Sequence, residues 1–312
     1  MKIVRGFVLL LTFLAIVAHV YAEEPKFPYL ARVAAPVVNL RKEPVKASHT
    51  FEHDPLEETQ LLYGEPVKVL GGNGDWVRIE AVEQQEWSHN KRWEGYPGWV
   101  EKTQLVPEPL NGSPNLLVIS KTGTVRAEPQ TTATALLTLS ICSRLTALSS
   151  NLVHWQRVKL LDGSIGWIKS EAVSQTPIRS SNYPLLRQNL VRTARLFLGD
   201  PYYWGGRSST AVDCSGFVGL AHQANGIQIP RDAHEQRMKA RTLNRDQLKA
   251  GDLVFLSDKE DPEKITHVMM YVGDGKVIEG PGTGQAVRET DLEERLKESS
   301  GRRVSYGTFL PS

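Results

Sequence analysis

The chain has 312 residues, 37 Lys and Arg against 35 Asp and Glu, a formal net charge of +2, and two cysteines. The length predicts two or three domains, and the even charge balance argues against a nucleic-acid binder, which carries a basic excess. Two cysteines build neither a disulfide framework nor a four-thiolate zinc site, and a 40% hydrophobic, charge-balanced composition argues against a disordered chain.

At the N-terminus, Lys2 and Arg5 precede apolar runs at 7–11 and 13–18, and Val20 and Ala22 stand at the −3 and −1 positions of a cleavage site before Glu23. This is the layout of a secretory signal peptide over residues 1–22. Its core falls short of the roughly 20 apolar residues a membrane span needs. Cleavage would remove Lys2 and Arg5 and leave 35 basic against 35 acidic residues. The expectation is an exported, neutral protein of the periplasm, cell envelope or medium, with no membrane span after signal cleavage.

Two segments, 23–107 and 108–178, read alike. The first carries Val38-Asn39-Leu40-Arg41, then Gly74-Asp75-Trp76-Val77, then Gly98-Trp99-Val100; the second carries Thr124-Val125-Arg126, then His154-Trp155-Gln156-Arg157-Val158, then Gly166-Trp167-Ile168. Short alternating strands between Gly, Pro and Asn turns make each a small all-β unit. The order resembles a bacterial SH3-type barrel, twice in tandem, and such modules usually bind cell-wall material. Trp76, Trp99, Trp155 and Trp167 read as core residues of these barrels. The first unit is longer, largely through 84–94, which holds Trp87, His89, Lys91, Arg92 and Trp93. Long loops in compact domains are usually functional or disordered, and two tryptophans favour function.

From 179 to 312 the pattern becomes α+β. An apolar stripe follows Pro184, a second helix begins near Cys214, and strands follow at 252–256, 265–272 and 276–279. A thiol becomes a nucleophile when it is accessible and its pKa is lowered from about 8.5, which a helix N-terminus favours. Cys214 stands in Asp213-Cys214-Ser215 at the start of a helical run, with Asp213 or Ser215 as its cap. Cys142, inside the β-like segment 139–145, reads as a buried inert thiol; a Cys142–Cys214 disulfide is the other possibility.

The base is expected at His267, on an apolar strand. If 273–275 form a three-residue hairpin loop, Met269 pairs with Glu279, and His267 and Glu279 become diagonal neighbours on one face; a two-residue turn would put them on opposite faces. Cys214, His267 and Glu279 would then form a nucleophile, a base and a group orienting the base.

Pro201-Tyr202-x-Trp204-Gly205-Gly206, Asp213-Cys214-Ser215-Gly216, Ile229-Pro230-Arg231, Gly251-Asp252-Leu253-Val254-Phe255 and His267-Val268-x-x-Tyr271-Val272-Gly273 follow in order. This series resembles the NlpC-type family of papain-like cell-wall cysteine peptidases over about 185–310. The resemblance implies a multidomain chain in which two SH3-like barrels precede an α+β papain-like domain. It implies hydrolysis of peptidoglycan stem peptides (muropeptides), commonly between γ-D-glutamate and a diamino acid, with no metal or cofactor. Cys214 takes the nucleophile's place and His267 the base's. The third position falls on Glu279, where the family usually has His, Asn or Gln. Tyr202 matches the tyrosine whose hydroxyl lies beside the nucleophile, placed to bind the oxyanion with the Cys214 N–H. Asp213, Ser215 and Arg231 are candidates for holding substrate polar groups; Arg231 would pair with the free α-carboxylate of D-Glu or serve in a structural ion pair.

The whole layout is similar to that of γ-D-glutamyl-L-diamino acid endopeptidases. In these the first barrel limits the cleft, and the positions matching Glu65 and Tyr96 bind the substrate's N-terminal L-Ala amine. A wall-binding protein with a degenerate peptidase domain, and an amidase or acyltransferase on the same scaffold, are the alternatives. His49-x-x-x-His53 reads as a surface loop, and His222 and His234 as surface residues of the helical region.

Overall fold

The computed structural model describes residues 26–47, 53–108, 113–178 and 181–311. The signal segment 1–22 and His49 lie outside these residues. The first unit consists of β1 (Tyr29–Val33), β2 (Val37–Arg41), β3 (Glu57–Leu62), β4 (Pro66–Asn73), β5 (Trp76–Glu86), β6 (Glu94–Glu101) and β7 (Leu105–Pro107). The second consists of β8 (Leu116–Val118), β9 (Thr122–Arg126), β10 (Ala135–Ser140), β11 (Arg144–Ala147), β12 (Trp155–Lys159), β13 (Ile165–Lys169) and β14 (Val173–Gln175). Strand order is β3-β2-β6-β5-β4-β1-β7 in one and β10-β9-β13-β12-β11-β8-β14 in the other. With seven added to each number, the first order becomes the second, so the sequence repeat is also a repeat of topology.

Period-two alternation builds both interiors. Ala31 and Val33, Val67 and Val69, and Val77, Ile79 and Ala81 point into the first core, and Val118, Val125, Leu139, Val158 and Ile168 into the second. The four tryptophans expected there are instead half-buried and stand outside both clusters of buried residues, which are mainly aliphatic with one tyrosine each, Tyr96 and Tyr63. The extra length of the first unit is not a free loop. Pairing of β5 with β6 shifts register after Ala81 and resumes at Gln85↔Gly95 and Glu86↔Glu94, so 84–94 is the tip of an extended hairpin.

The third unit opens with α1 (Tyr183–Arg195), α2 (Cys214–Gln223) and α3 (Ala233–Lys239). It continues with β15 (Arg241–Leu243), β16 (Leu253–Ser257), β17 (Ile265–Gly273), β18 (Lys276–Glu279), β19 (Arg288–Asp291), α4 (Leu292–Glu298) and β20 (Val304–Thr308). The strands form an antiparallel sheet of order β15-β20-β16-β17-β18-β19, and α2 and α3 pack on β17. Phe217 and Leu220 of α2 meet Phe255, Val268 and Met270 in its main core. His222, expected at the surface, is fully buried: Nδ1 lies 2.8 Å from the Val218 carbonyl and the ring meets Phe309 edge-on.

Polar contacts join the three units. Tyr63 links the first two, its hydroxyl accepting the Leu161 N–H (2.6 Å) and its carbonyl the Arg144 N–H (2.8 Å). A side chain on neighbouring Gly64 would stand 2.5 Å from the Arg144 carbonyl oxygen. Glu65 joins the first unit to the third. It is 2% exposed; Oε2 accepts from Arg207 Nη1 (2.9 Å) and the Leu62 N–H (3.0 Å), and Oε1 from Gln84 (2.8 Å). The expectation that Glu65 meets a substrate amine is therefore corrected: its carboxylate is consumed by a buried ion pair. Removing one partner of such a pair leaves the other charge buried and uncompensated, at a cost of roughly 3–5 kcal/mol. Glu65→Ala and Glu65→Gln should both lower the urea midpoint, since each leaves Arg207 unpaired, and Glu65→Gln less, since it keeps an acceptor toward Leu62. A Glu65→Gln midpoint equal to that of the unaltered protein would contradict the ion-pair role.

Candidate active site

Cys214 is the first residue of α2, and Asp213 is its N-cap, accepting the Gly216 N–H at 2.6 Å and, from the preceding loop, the Gly205 N–H at 3.1 Å. Gly216 is required by close approach: a Cβ there would lie 2.2 Å from the Gly206 carbonyl oxygen. The Trp204-Gly205-Gly206 backbone thus rests directly on the helix.

Arg231 completes this corner. It is 3% exposed; Nη1 and Nη2 donate to Asp213 (3.1 and 2.7 Å), Nη1 also to Ser215 Oγ (2.9 Å), and Nε to Thr59 Oγ1 of β3 (2.6 Å). Asp213, Ser215 and Arg231 lie together at this corner. However, they bond one another, and Arg231 is a structural ion pair rather than an open carboxylate receptor.

Both cysteines are free thiols; Cys142 donates to the Leu220 carbonyl at 3.5 Å, so no disulfide forms. The lowered thiol pKa expected at a helix N-terminus is not found. Burial, reinforced by the Asp213 charge, pushes Cys214 up to about 12, although the Val268 and Ser215 N–H groups and Arg231 favour the thiolate. Val268, the residue after His267, packs in the same buried cluster as Cys214.

His267 is 5% exposed, and its Nε2 lies 2.7 Å from Glu279 Oε2. The hairpin achieves this differently from expectation. Asp274 and Gly275 form a two-residue turn with positive φ at both (51° and 71°), the pattern of a type I′ turn, and Gly273 pairs with Lys276. A bulge at Val272 then restores Tyr271↔Val277 and Met270↔Ile278, which carries Met269 opposite Glu279. Burial holds the His267 pKa down against the pull of Glu279, with Arg295 and Arg302 acting in the same sense as burial. Burial thus opposes the charged form of both the Cys214 thiol and the His267 imidazole. Tyr202 is half-buried, its ring beside Gly280; burial and its nearness to Cys214 and Asp213 push its phenol pKa up, so it stays a donor.

Tyr96 lies at the boundary of the first and third units. Its hydroxyl is 3.0 Å from Asp232 Oδ2 and 3.3 Å from Glu58 Oε2, and the His89 ring meets it edge-on at 5.2 Å between centroids. Glu58 and Asp232 retain 18% and 39% of their side-chain exposure. Burial opposes ionisation of Glu58, but His89, 3.8 Å away, and the hydrogen bond from Tyr96 outweigh it and keep it below the usual range. Glu58, then Glu86, raise His89 to about 9, making it a cation at neutral pH. The hairpin tip holding His89 docks on α3: Ser88 bonds Glu235, and the Lys239 ammonium lies 4.0 Å from the Trp93 ring centroid. His89 falls in the 84–94 segment that the sequence marks out, whereas Glu58 and Asp232 carry no motif. Strand alternation offered the one available signal, since Glu57 and Thr59 point inward and Glu58 outward.

A thiol heading a helix, next to a strand-borne histidine held by a buried carboxylate, is the apparatus of a cysteine hydrolase. Residues 199–304 match the NlpC/P60 family. A γ-D-glutamyl-L-lysine dipeptidyl-peptidase from Bacillus cereus is 34% identical over 254 residues, covering 79% of this chain and 74% of its own. One from Bacillus subtilis is 32% identical over 245 residues, covering 78% and 79%. A crystal structure of an NlpC/P60 family protein from Bacillus cereus superposes with a TM-score of 0.78 at 26% identity, over 90% of this chain and 100% of that one. The chain belongs to the NlpC/P60 family and is a cysteine peptidase.

The raised thiol has a direct consequence. Alkylation of Cys214 by iodoacetamide, located by peptide mapping, should be slow at pH 7 and still rising above pH 9. A plateau reached below pH 8 would show a thiolate already formed.

Proposed function

We propose that the protein hydrolyses the γ-D-glutamyl–diamino acid bond of peptidoglycan stem peptides whose N-terminal L-Ala is free. The observation that carries this reading is the Tyr96 hydroxyl between two partly open carboxylates, Glu58 and Asp232. An ammonium donates three hydrogen bonds and accepts none, so two carboxylates and a hydroxyl suit it. This receptor takes the place first expected for Glu65 with Tyr96. Arg231 links it to the nucleophile, being next to Asp232 in sequence and bonded to Asp213 and Ser215 on either side of Cys214. The names of the two Bacillus relatives support the bond chosen, and both specify L-lysine.

In this reading His267 Nδ1, the ring nitrogen turned away from Glu279, takes the thiol proton as Sγ attacks the γ-carbonyl carbon. The Cys214 N–H and the Tyr202 hydroxyl receive the oxyanion. The imidazolium then protonates the departing amine, and water, deprotonated by His267, releases L-Ala-γ-D-Glu from the thioester. The two all-β units are read as SH3-like barrels, the first serving as a wall of the cleft. Residues 1–22 are read as an export signal, so the enzyme would act in the periplasm, the cell envelope or the medium.

The free tripeptide L-Ala-γ-D-Glu-L-Lys, incubated with the protein, should yield lysine and the dipeptide by mass, with no turnover by Cys214→Ala. N-acetylation of the tripeptide should abolish cleavage. Glu58→Gln should raise KM for the free tripeptide roughly tenfold to a hundredfold, the worth of one hydrogen bond to a charged group. Release of a different fragment, or equal turnover of blocked and free peptide, would refute the reading.

A further inference from the structure

We propose that Arg288 and Arg295 are positioning residues that neutralise Glu279, so that the carboxylate orients His267 without setting a net negative charge against it. The inference rests on His267 acting as the base. Glu279 is fully buried, and both its oxygens are shared. Oε2 meets His267 Nε2 at 2.7 Å and Arg295 Nε at 2.8 Å; Oε1 accepts from Arg295 Nε at 2.7 Å and from Arg288 Nε and Nη2 at 3.0 and 2.8 Å. Arg288 stands directly opposite Glu279 on β19, whereas Arg295 comes from α4. Arg288 also pairs with the exposed Glu298 at 3.1 Å. Two carboxylates and two guanidiniums make a cluster of zero net charge behind the imidazole.

That balance bears on which form of the imidazole is favoured. A buried carboxylate alone, 2.7 Å from an imidazole, favours the imidazolium. An imidazolium cannot take a proton from a neutral thiol. With the cluster neutral, Glu279 still fixes the ring and its tautomer, and burial opposes the charged ring. Other groups facing this part of β17 are Cys214 of α2, His234 of α3, whose Nδ1 accepts the Ile265 N–H, and Arg302 after α4, which donates to Thr266. None of these contacts Glu279 as Arg288 and Arg295 do.

The experiment follows the His267 ring by NMR in protein labelled at histidine carbons, with His267→Gln giving the assignment. In the unaltered protein His267 should titrate below the usual 6.5. Arg295→Met should raise the midpoint by about one pH unit or more, and Arg288→Gln should raise it less. In the double variant Glu279→Gln with Arg295→Met, both charges are gone and the midpoint should fall back. Arg288 is 38% exposed at its side chain, so Arg288→Gln decides the matter if Arg295→Met does not fold. An unchanged midpoint in folded Arg288→Gln and Arg295→Met, or a double variant as displaced as Arg295→Met alone, would overturn the proposal. No substrate enters this measurement, so failure to cleave the tripeptide with the shifts intact would count against the proposed function alone.

Discussion

Arg231 keeps a full charge inside the protein, and much of the active-site architecture follows from keeping that charge paired. A buried guanidinium is tolerated only when its N–H groups find acceptors and its charge a counter-charge. Here the counter-charge is Asp213, which is also the cap of the nucleophile's helix. One carboxylate thereby settles the direction of α2 and the placement of the residue after itself, Cys214. The Nε–H goes to Thr59 on β3 of the first unit, and the Arg231 backbone N–H goes to the Gln85 carbonyl at 2.9 Å. The first β unit is thus bonded into the active site, and separating it would leave the Arg231 Nε–H without its acceptor beside the catalytic helix.

Much of this was legible in the sequence, and the gaps have physical reasons. The alternating strands, the repeat, the helix at Cys214 and the shared face of His267 and Glu279 are all local patterns, visible over a few residues. Contacts between distant segments are not. Glu65 has the right chemistry for an ammonium, but its partner Arg207 lies 142 residues away, and nothing near Glu65 in the chain signals its burial. Glu58, the carboxylate left partly open, is distinguished only by strand parity. Arg295 sits 16 residues beyond Glu279 on a helix with no motif of its own. His222 looks like a surface residue until the C-terminal Phe309 is folded against it.

The carboxylates of the site divide by how completely they are satisfied. Glu279 and Asp213 are buried, with guanidinium partners on both, and their work is to hold other protein groups still. Glu58 and Asp232 keep part of their surface in solvent. The same functional group serves as a fixed strut or as a receptor according to how many donors the protein itself brings to it.

The hairpin between β17 and β18 carries its own consequence. Its tight turn alone would send His267 and Glu279 to opposite sides of the sheet; the single extra residue at Val272 brings them back together. The alignment of this pair is therefore a matter of counting rather than of residue identity. Side chains in the hairpin are free to vary within the demands of packing, but an odd-numbered insertion or deletion between residues 267 and 279 reverses the facing of one partner. Over the history of such a chain, this stretch would drift in composition while holding its length.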